Sequence, residues 1–129
     1  MPEALDRALA DQLCTLPRHP SSPTAARVVL RGFLSDLKDG EHYAGDGELI
    51  VTELVASAVR TPPAHHLIDV LFEYSAPAGL WIEVTAIGQS GRAGPDCPGL
   101  RLVRRLCAAW GYDPAEGRSW ARLAPPVTQ

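Results

Sequence analysis

Apolar positions recur along this chain at two spacings, and each spacing marks a different kind of element. In SSPTAARVVLRGFLSDLKDG, Ala26, Val29, Leu30, Phe33, Leu34 and Leu37 return at helical spacing. Ser21 or Ser22 can cap this segment and Pro23 suits a first turn, so it predicts one amphipathic helix that ends before Gly40. EHYAGDG reads as a loop, with Asp46 capping a second helix that runs to about Val59 and that Pro62 and Pro63 prevent from continuing. HHLIDVLFEYS and GLWIEVTAI alternate apolar with polar residues on either side of the turn SAPAG. They predict two antiparallel strands whose inward residues are Ile68, Val70, Phe72, Leu80, Ile82 and Val84.

The ends of the chain carry weaker patterns. MPEALDRALADQL predicts a short helix or a loose arm, and QLCTLP a few strand-like residues that Pro17 and Pro20 bring to an end. GQSGRAGPDCPG, rich in glycine and proline, predicts a loop. LRLVRRLCAAW predicts a helix with Leu102, Val103, Leu106 and Cys107 on its apolar side, Trp110 at its end and Gly111 as its stop. RSWARLAPP closes the chain as a strand. The order is strand, helix, helix, two strands, loop, helix, strand. It points to the α/β class in its two-layer α+β form, with helices on one face of a mixed, mostly antiparallel sheet. Residues 1–15 form an arm or short helix on this reading, 16–125 a single domain and 126–129 a tail.

Composition narrows the function classes. With 129 residues, 46% hydrophobic and 21% charged, the chain can bury one core and not two. The net charge of −3 gives no pull toward nucleic acid or anionic membranes. No apolar run has the length of a membrane span, and Glu3, Asp6 and Asp11 stand where a signal peptide needs a basic start, so the expectation is a cytoplasmic protein. Cys14, Cys97 and Cys107 are odd in number and widely spaced, which argues for free thiols rather than a disulfide framework or a zinc site.

Candidate chemistry centres on ELVASAVR. Glu53, Ser57 and Arg60 fall at spacings of four and three, on one narrow stripe of a helix whose other sides are apolar. A carboxylate there either faces water beside Arg60 or faces a polar cavity as a general base, and on chemistry alone the solvated stripe is the simpler reading. The glycine loop ending at Gly99, directly before a helix, could admit a phosphate, or it is an ordinary connection. Arg101, Arg104 and Arg105 read as a solvated helix face, His65 and His66 as surface residues, and Trp81, Trp110 and Trp120 as core or core-edge residues.

LPRHPSSPTAARVVLRGFL, DGELIVTELVASAVR, GLWIEVTAIG and PGLRLVRRLCAAWGYDPAEGRSWARL, in this order, resemble the small bacterial ATP-binding regulators of the anti-sigma-factor serine kinase type. Those regulators belong to the GHKL superfamily, with the histidine-kinase-like ATPase (Bergerat) fold. The resemblance runs from about Leu16 to Leu123. It implies that Glu53 occupies the place of the general base and Ser57 that of an Asn that holds Mg²⁺. It also implies that Ala86 replaces the Asp that accepts the adenine amino group, with Gly88 two residues on. Arg60, Gly99 and Leu100 enter the same nucleotide-binding set, and Arg118 and Ser119 stand where relatives carry a Lys-Thr pair.

Arg118 and Ser119 keep the hydrogen-bonding type of that pair, and the other three site elements all depart toward weaker nucleotide binding. A hydroxyl at Ser57 lacks the amide carbonyl that reaches a metal, and a methyl at Ala86 forfeits a base contact worth roughly 1–3 kcal/mol. The lid is short, from Gln89 to Pro98, and a single glycine, Gly99, remains at the helix start. The resemblance therefore implies a regulator that acts by protein-protein binding, toward a sigma factor or an anti-sigma antagonist. It implies no retained cofactor and no metal beyond a weak ligand at Ser57, and it suggests a homodimer. Alternatively, the chain is a working ATP-dependent serine/threonine kinase that takes ATP and Mg²⁺.

Overall fold

The computed structural model describes residues 9–60, 67–86, 98–113 and 115–127. These form β1 (Leu9–Pro17), α1 (Ser22–Ser35), α2 (Gly40–Arg60), β2 (Leu67–Ser75), β3 (Gly79–Ala86), α3 (Pro98–Leu106), β4 (Ala109–Asp113) and β5 (Arg118–Leu123). The strands make one five-stranded sheet in the order β1-β2-β3-β5-β4. The architecture is a two-layer α+β sandwich. Among the described residues every pairing is antiparallel, so the mostly antiparallel sheet expected from sequence is found without a parallel pair. Two hairpins, β2–β3 and β4–β5, account for the antiparallel sense locally. The α1–α2 pair returns β2 against β1, and α3 carries the chain past the sheet so that β5 enters between β3 and β4.

The core lies between the helices and one sheet face. Ile68, Val70, Phe72, Leu80, Ile82 and Val84 are all buried, as their alternation predicts. Ala26, Leu30, Phe33, Leu34 and Leu37 meet them from α1 and the turn after it, and Phe33 packs on Phe72 with ring centroids 5.7 Å apart. Ser22 Oγ donates to the Pro17 carbonyl and ties the start of α1 to the end of β1. Arg31 and Glu48 brace α1 against α2 through two parallel hydrogen bonds of 2.9 Å.

Four local expectations are corrected. Residues 9–11 are strand rather than arm or helix, so the strand expected at QLCTLP begins earlier, because Leu9 through Pro17 pair in continuous register with Ser75 through Leu67. EHYAGDG is helix rather than loop. Tyr43 is fully buried there and its ring sits edge-on to Tyr74, at 6.0 Å between centroids. Burial of that ring outweighs the roughly 1 kcal/mol that each of Gly45 and Gly47 costs a helix. At the other end α3 stops at Leu106, and Trp110 and Gly111 belong to β4, which gains a full ladder with β5. Leu102, placed on the apolar side from sequence, is exposed, and Leu100 with Val103 forms the buried face instead. No helix among the described residues is long and apolar enough to cross a membrane.

Tyr43 carries a testable oddity. Its Oη is buried without a hydrogen-bond partner among the described residues, and burial, helped by Tyr74 and Asp39, pushes the phenol up to about 12. Tyr43→Phe removes an unsatisfied hydroxyl and is expected to raise stability by about 1 kcal/mol in urea unfolding. The folded phenol ionises later than the unfolded one, so its contribution is whole below pH 10 and is lost as pH rises toward 12. The Phe variant should lose less stability over that interval than the parent.

Candidate functional site

Five elements converge beneath the end of β3. Ser57 and Leu54 come from α2, Ala86 and Val84 from β3, Leu100 from α3, Tyr112 from β4 and Ser119 from β5. The convergence follows from local causes. Ser57 is one turn beyond Glu53 on the α2 side that meets α3, and Leu100 is driven against it as part of the buried face of α3. Ser119 pairs with Val84 on one side and Tyr112 on the other, so all three point to the helical layer. The Ala86 N–H donates to the Gly117 carbonyl at 3.0 Å, which fastens the end of β3 to the β4–β5 turn.

The space these residues enclose is small. Its volume is ≈ 10 Å³, room for about one water molecule, whereas ligand pockets for drug-sized or larger molecules run to several hundred Å³. Its wall is apolar on the side of Leu54, Ala58, Val84, Ala86 and Leu100, and polar at Ser57, Tyr112 and Ser119. The Tyr112 Oη is buried without a hydrogen-bond partner among the described residues, and burial, with Asp113 adjacent, raises its phenol pKa. One water held between hydroxyl groups is the chemistry this geometry supports.

Of the residues singled out by sequence, Ser57, Ala86, Leu100 and Ser119 are brought together. Glu53 is half-buried and does not line the space, and Arg60 is exposed at the end of α2. Gly99 lies in the first turn of α3. Gly88, His65, His66, Cys97 and the lid Gln89 to Cys97 lie outside the described residues. Tyr112 and Gly117 escape the sequence reading. The alternation of Trp110 with Tyr112 was the available signal, hidden by reading Trp110 into a helix. No group of three or more His, Cys, Asp or Glu able to hold a metal occurs among the described residues.

Two other features were placed differently by sequence. Arg104 is exposed but not merely solvated, since its guanidinium lies over the Trp110 ring, 5.7 Å from the centroid. Trp81 and Trp120 are not in the core. They stack 4.6 Å apart and 11° from parallel on the sheet face turned away from the helices. Cys14 and Cys107 are free, and burial raises both thiols, which makes them poor nucleophiles. No family model and no curated protein matches the chain.

Proposed function

We propose that this chain is a cytoplasmic regulatory protein with a histidine-kinase-like scaffold that acts by binding another protein and has lost efficient binding of ATP. The observation that supports it is the convergence of Ser57, Ala86, Leu100 and Ser119 on a space of only ≈ 10 Å³. These are the positions at which the sequence resembles a nucleotide site. Two of them, Ser57 and Ala86, have exchanged an amide and a carboxylate for a hydroxyl and a methyl. A base pocket without its acceptor and a metal position without its carbonyl leave the protein surface as the functional part. A sigma factor or an antagonist of the anti-sigma type is the partner class implied.

Calorimetric titration with ATP and Mg²⁺ tests the reading. The expected result is no saturable heat up to millimolar nucleotide. A Kd in the micromolar range would overturn it in favour of an active serine kinase, with Glu53 as base and Ser57 on the metal.

A further inference from the structure

The sheet has a second face that no helix covers among the described residues, since the buried side chains of β2, β3 and β5 all point the other way. Strand register lays this open face out in rows. From β1 to β4 one row is Asp11, Glu73, Trp81, Arg122 and Ala109, and the next is Leu13, Leu71, Glu83, Trp120 and Gly111. The third is Thr15, Asp69, Thr85, Arg118 and Asp113. The middle is apolar: Leu13 is 61% exposed, Leu71 stands opposite it, and Trp81 stacks on Trp120. Gly111 leaves room for the second indole, because a Cβ there would come within 2.5 Å of the Trp120 ring.

Acids outnumber bases on these rows five to two, so the face is negative, but most of its charges are satisfied within the chain. Asp69 accepts from Thr15 Oγ1 at 2.7 Å, Asp113 from the Ala115 N–H at 3.0 Å, and Glu83 from Trp81 Nε1 at 3.1 Å and Arg118 Nη1 at 3.3 Å. Arg122 donates to the Ala78 carbonyl at 2.9 Å. Asp11 and Glu73 are the exception. They are direct cross-strand neighbours of like sign, both exposed, and neither has a hydrogen bond or ion pair among the described residues. Like charges so placed destabilise a sheet, and a positive group set between them relieves that cost. Beside them lies a hollow of ≈ 720 Å³, lined in part by Leu9, Asp11, Glu73, Trp81 and Arg122, at the end of the face nearest the β2–β3 turn. The Trp81 N–H is taken by Glu83 and one side of the ring by Trp120, so Trp81 offers the hollow aromatic surface in a fixed orientation. Aromatic surface beside two unpaired carboxylates selects an organic cation, a guanidinium above all.

We infer that this face is the docking surface for a cationic segment of a partner protein. One arginine or lysine of that segment enters the hollow, against Trp81 and between the carboxylates of Asp11 and Glu73, and its apolar neighbours cover Leu13, Leu71 and Trp120. Charge complementarity sets the sign of the occupant, and extent sets its kind. Five strands about 4.8 Å apart and six residues of about 3.3 Å give roughly 500 Å², which a small amine would leave mostly bare and a polypeptide segment covers. Nucleic acid and anionic lipid are repelled by the same unpaired acids. Such docking rests on the reading of the chain as a protein-binding regulator, and it holds whatever happens to ATP on the helical layer. Titration with Mg-ATP therefore decides the nucleotide reading alone, and either can fail without the other.

Selection from a random peptide library displayed on phage, against the purified chain, tests this, with fluorescence titration of synthetic copies of the selected peptides. The pool should be enriched in Arg or Lys beside Leu, Phe or Trp, and its affinity should fall as salt rises. Glu73→Arg should weaken binding by about tenfold or more. Asp36→Arg makes the same change of charge at an exposed position after α1, on the helical layer, and should leave affinity within about twofold. Circular dichroism checks that each variant is folded. If Glu73→Arg is not, Asp11→Arg on the edge strand decides in its place. A pool without basic enrichment, or one with no saturable binder, overturns the proposal. So do basic peptides indifferent to Glu73→Arg or equally weakened by Asp36→Arg, and free arginine that binds as tightly as the peptides. A chain that sediments as a dimer, and as a monomer once Glu73→Arg is made, would give the face to a second copy and overturn it too.

Discussion

Gly79→Ala is expected to destabilise the protein by about 3–5 kcal/mol, the sum of backbone strain and forced repacking. Gly79 opens β3 after the turn from β2 with φ at +102°, a conformation that L side chains rarely adopt. The site is also crowded by main chain. A Cβ would stand 2.0 Å from the Leu123 carbonyl oxygen and 3.1 Å from the Pro125 nitrogen. Neither is the end of a flexible side chain, so either the turn or the end of β5 must move, and β5 is fixed between β3 and β4. Urea unfolding of the variant measures the loss. A change below about 1 kcal/mol would show that the hairpin relaxes freely, and would remove the argument that β3 and β5 are locked in register at this point.

Leu100→Ala is the second large effect. Leu100 is 1% exposed and forms, with Val103, the face by which α3 rests on α2. Truncating a buried leucine costs about 2–5 kcal/mol, with the higher values where the surroundings cannot collapse into the gap. Here the gap adjoins a space that already exists beside Ser57 and Tyr112, so collapse is hindered and a loss of about 3–4 kcal/mol is expected. The same variant probes the proposed function. If a closed pocket were all that excluded nucleotide, Leu100→Ala would gain Mg-ATP binding. On the proposed reading the expected result is that it does not, because Ala86 would still offer no acceptor for a base.

The alternation of β2 and β3 made their six inward residues legible, because one buried face and one open face force a period of two. The apolar rhythm of α1 was equally plain. What the sequence concealed were places where packing overrode local preference. Gly45, Asp46 and Gly47 look like a loop, yet Tyr43 needs a helical backbone to enter the core. LRLVRRLCAAW looks like one unbroken helix, yet its last residues join β5. That misreading also hid Tyr112, since a residue beyond a helix stop has no assigned side. In the candidate site, Ser57, Ala86, Leu100 and Ser119 come from four separate elements, and only a resemblance could gather them before the fold did. Glu53 looked like their companion, but a helix turn is long enough to put it outside the space they enclose.

The long-range pairing of β1 also governs the order in which the chain can assemble. Thr15 hydrogen-bonds to Asp69 across 54 positions, and the β1 ladder as a whole cannot begin until β2 exists. The β2–β3 hairpin closes over a three-residue turn and the two helices are contiguous, so both can form early. At about 5–20 residues per second of synthesis, β1 waits several seconds with Ala10, Cys14 and Leu16, which the core later covers, still in water. Asp11 and Pro17 within this strand are therefore also guards of a nascent chain, interrupting an edge that would otherwise recruit a stranger before its own partner is made.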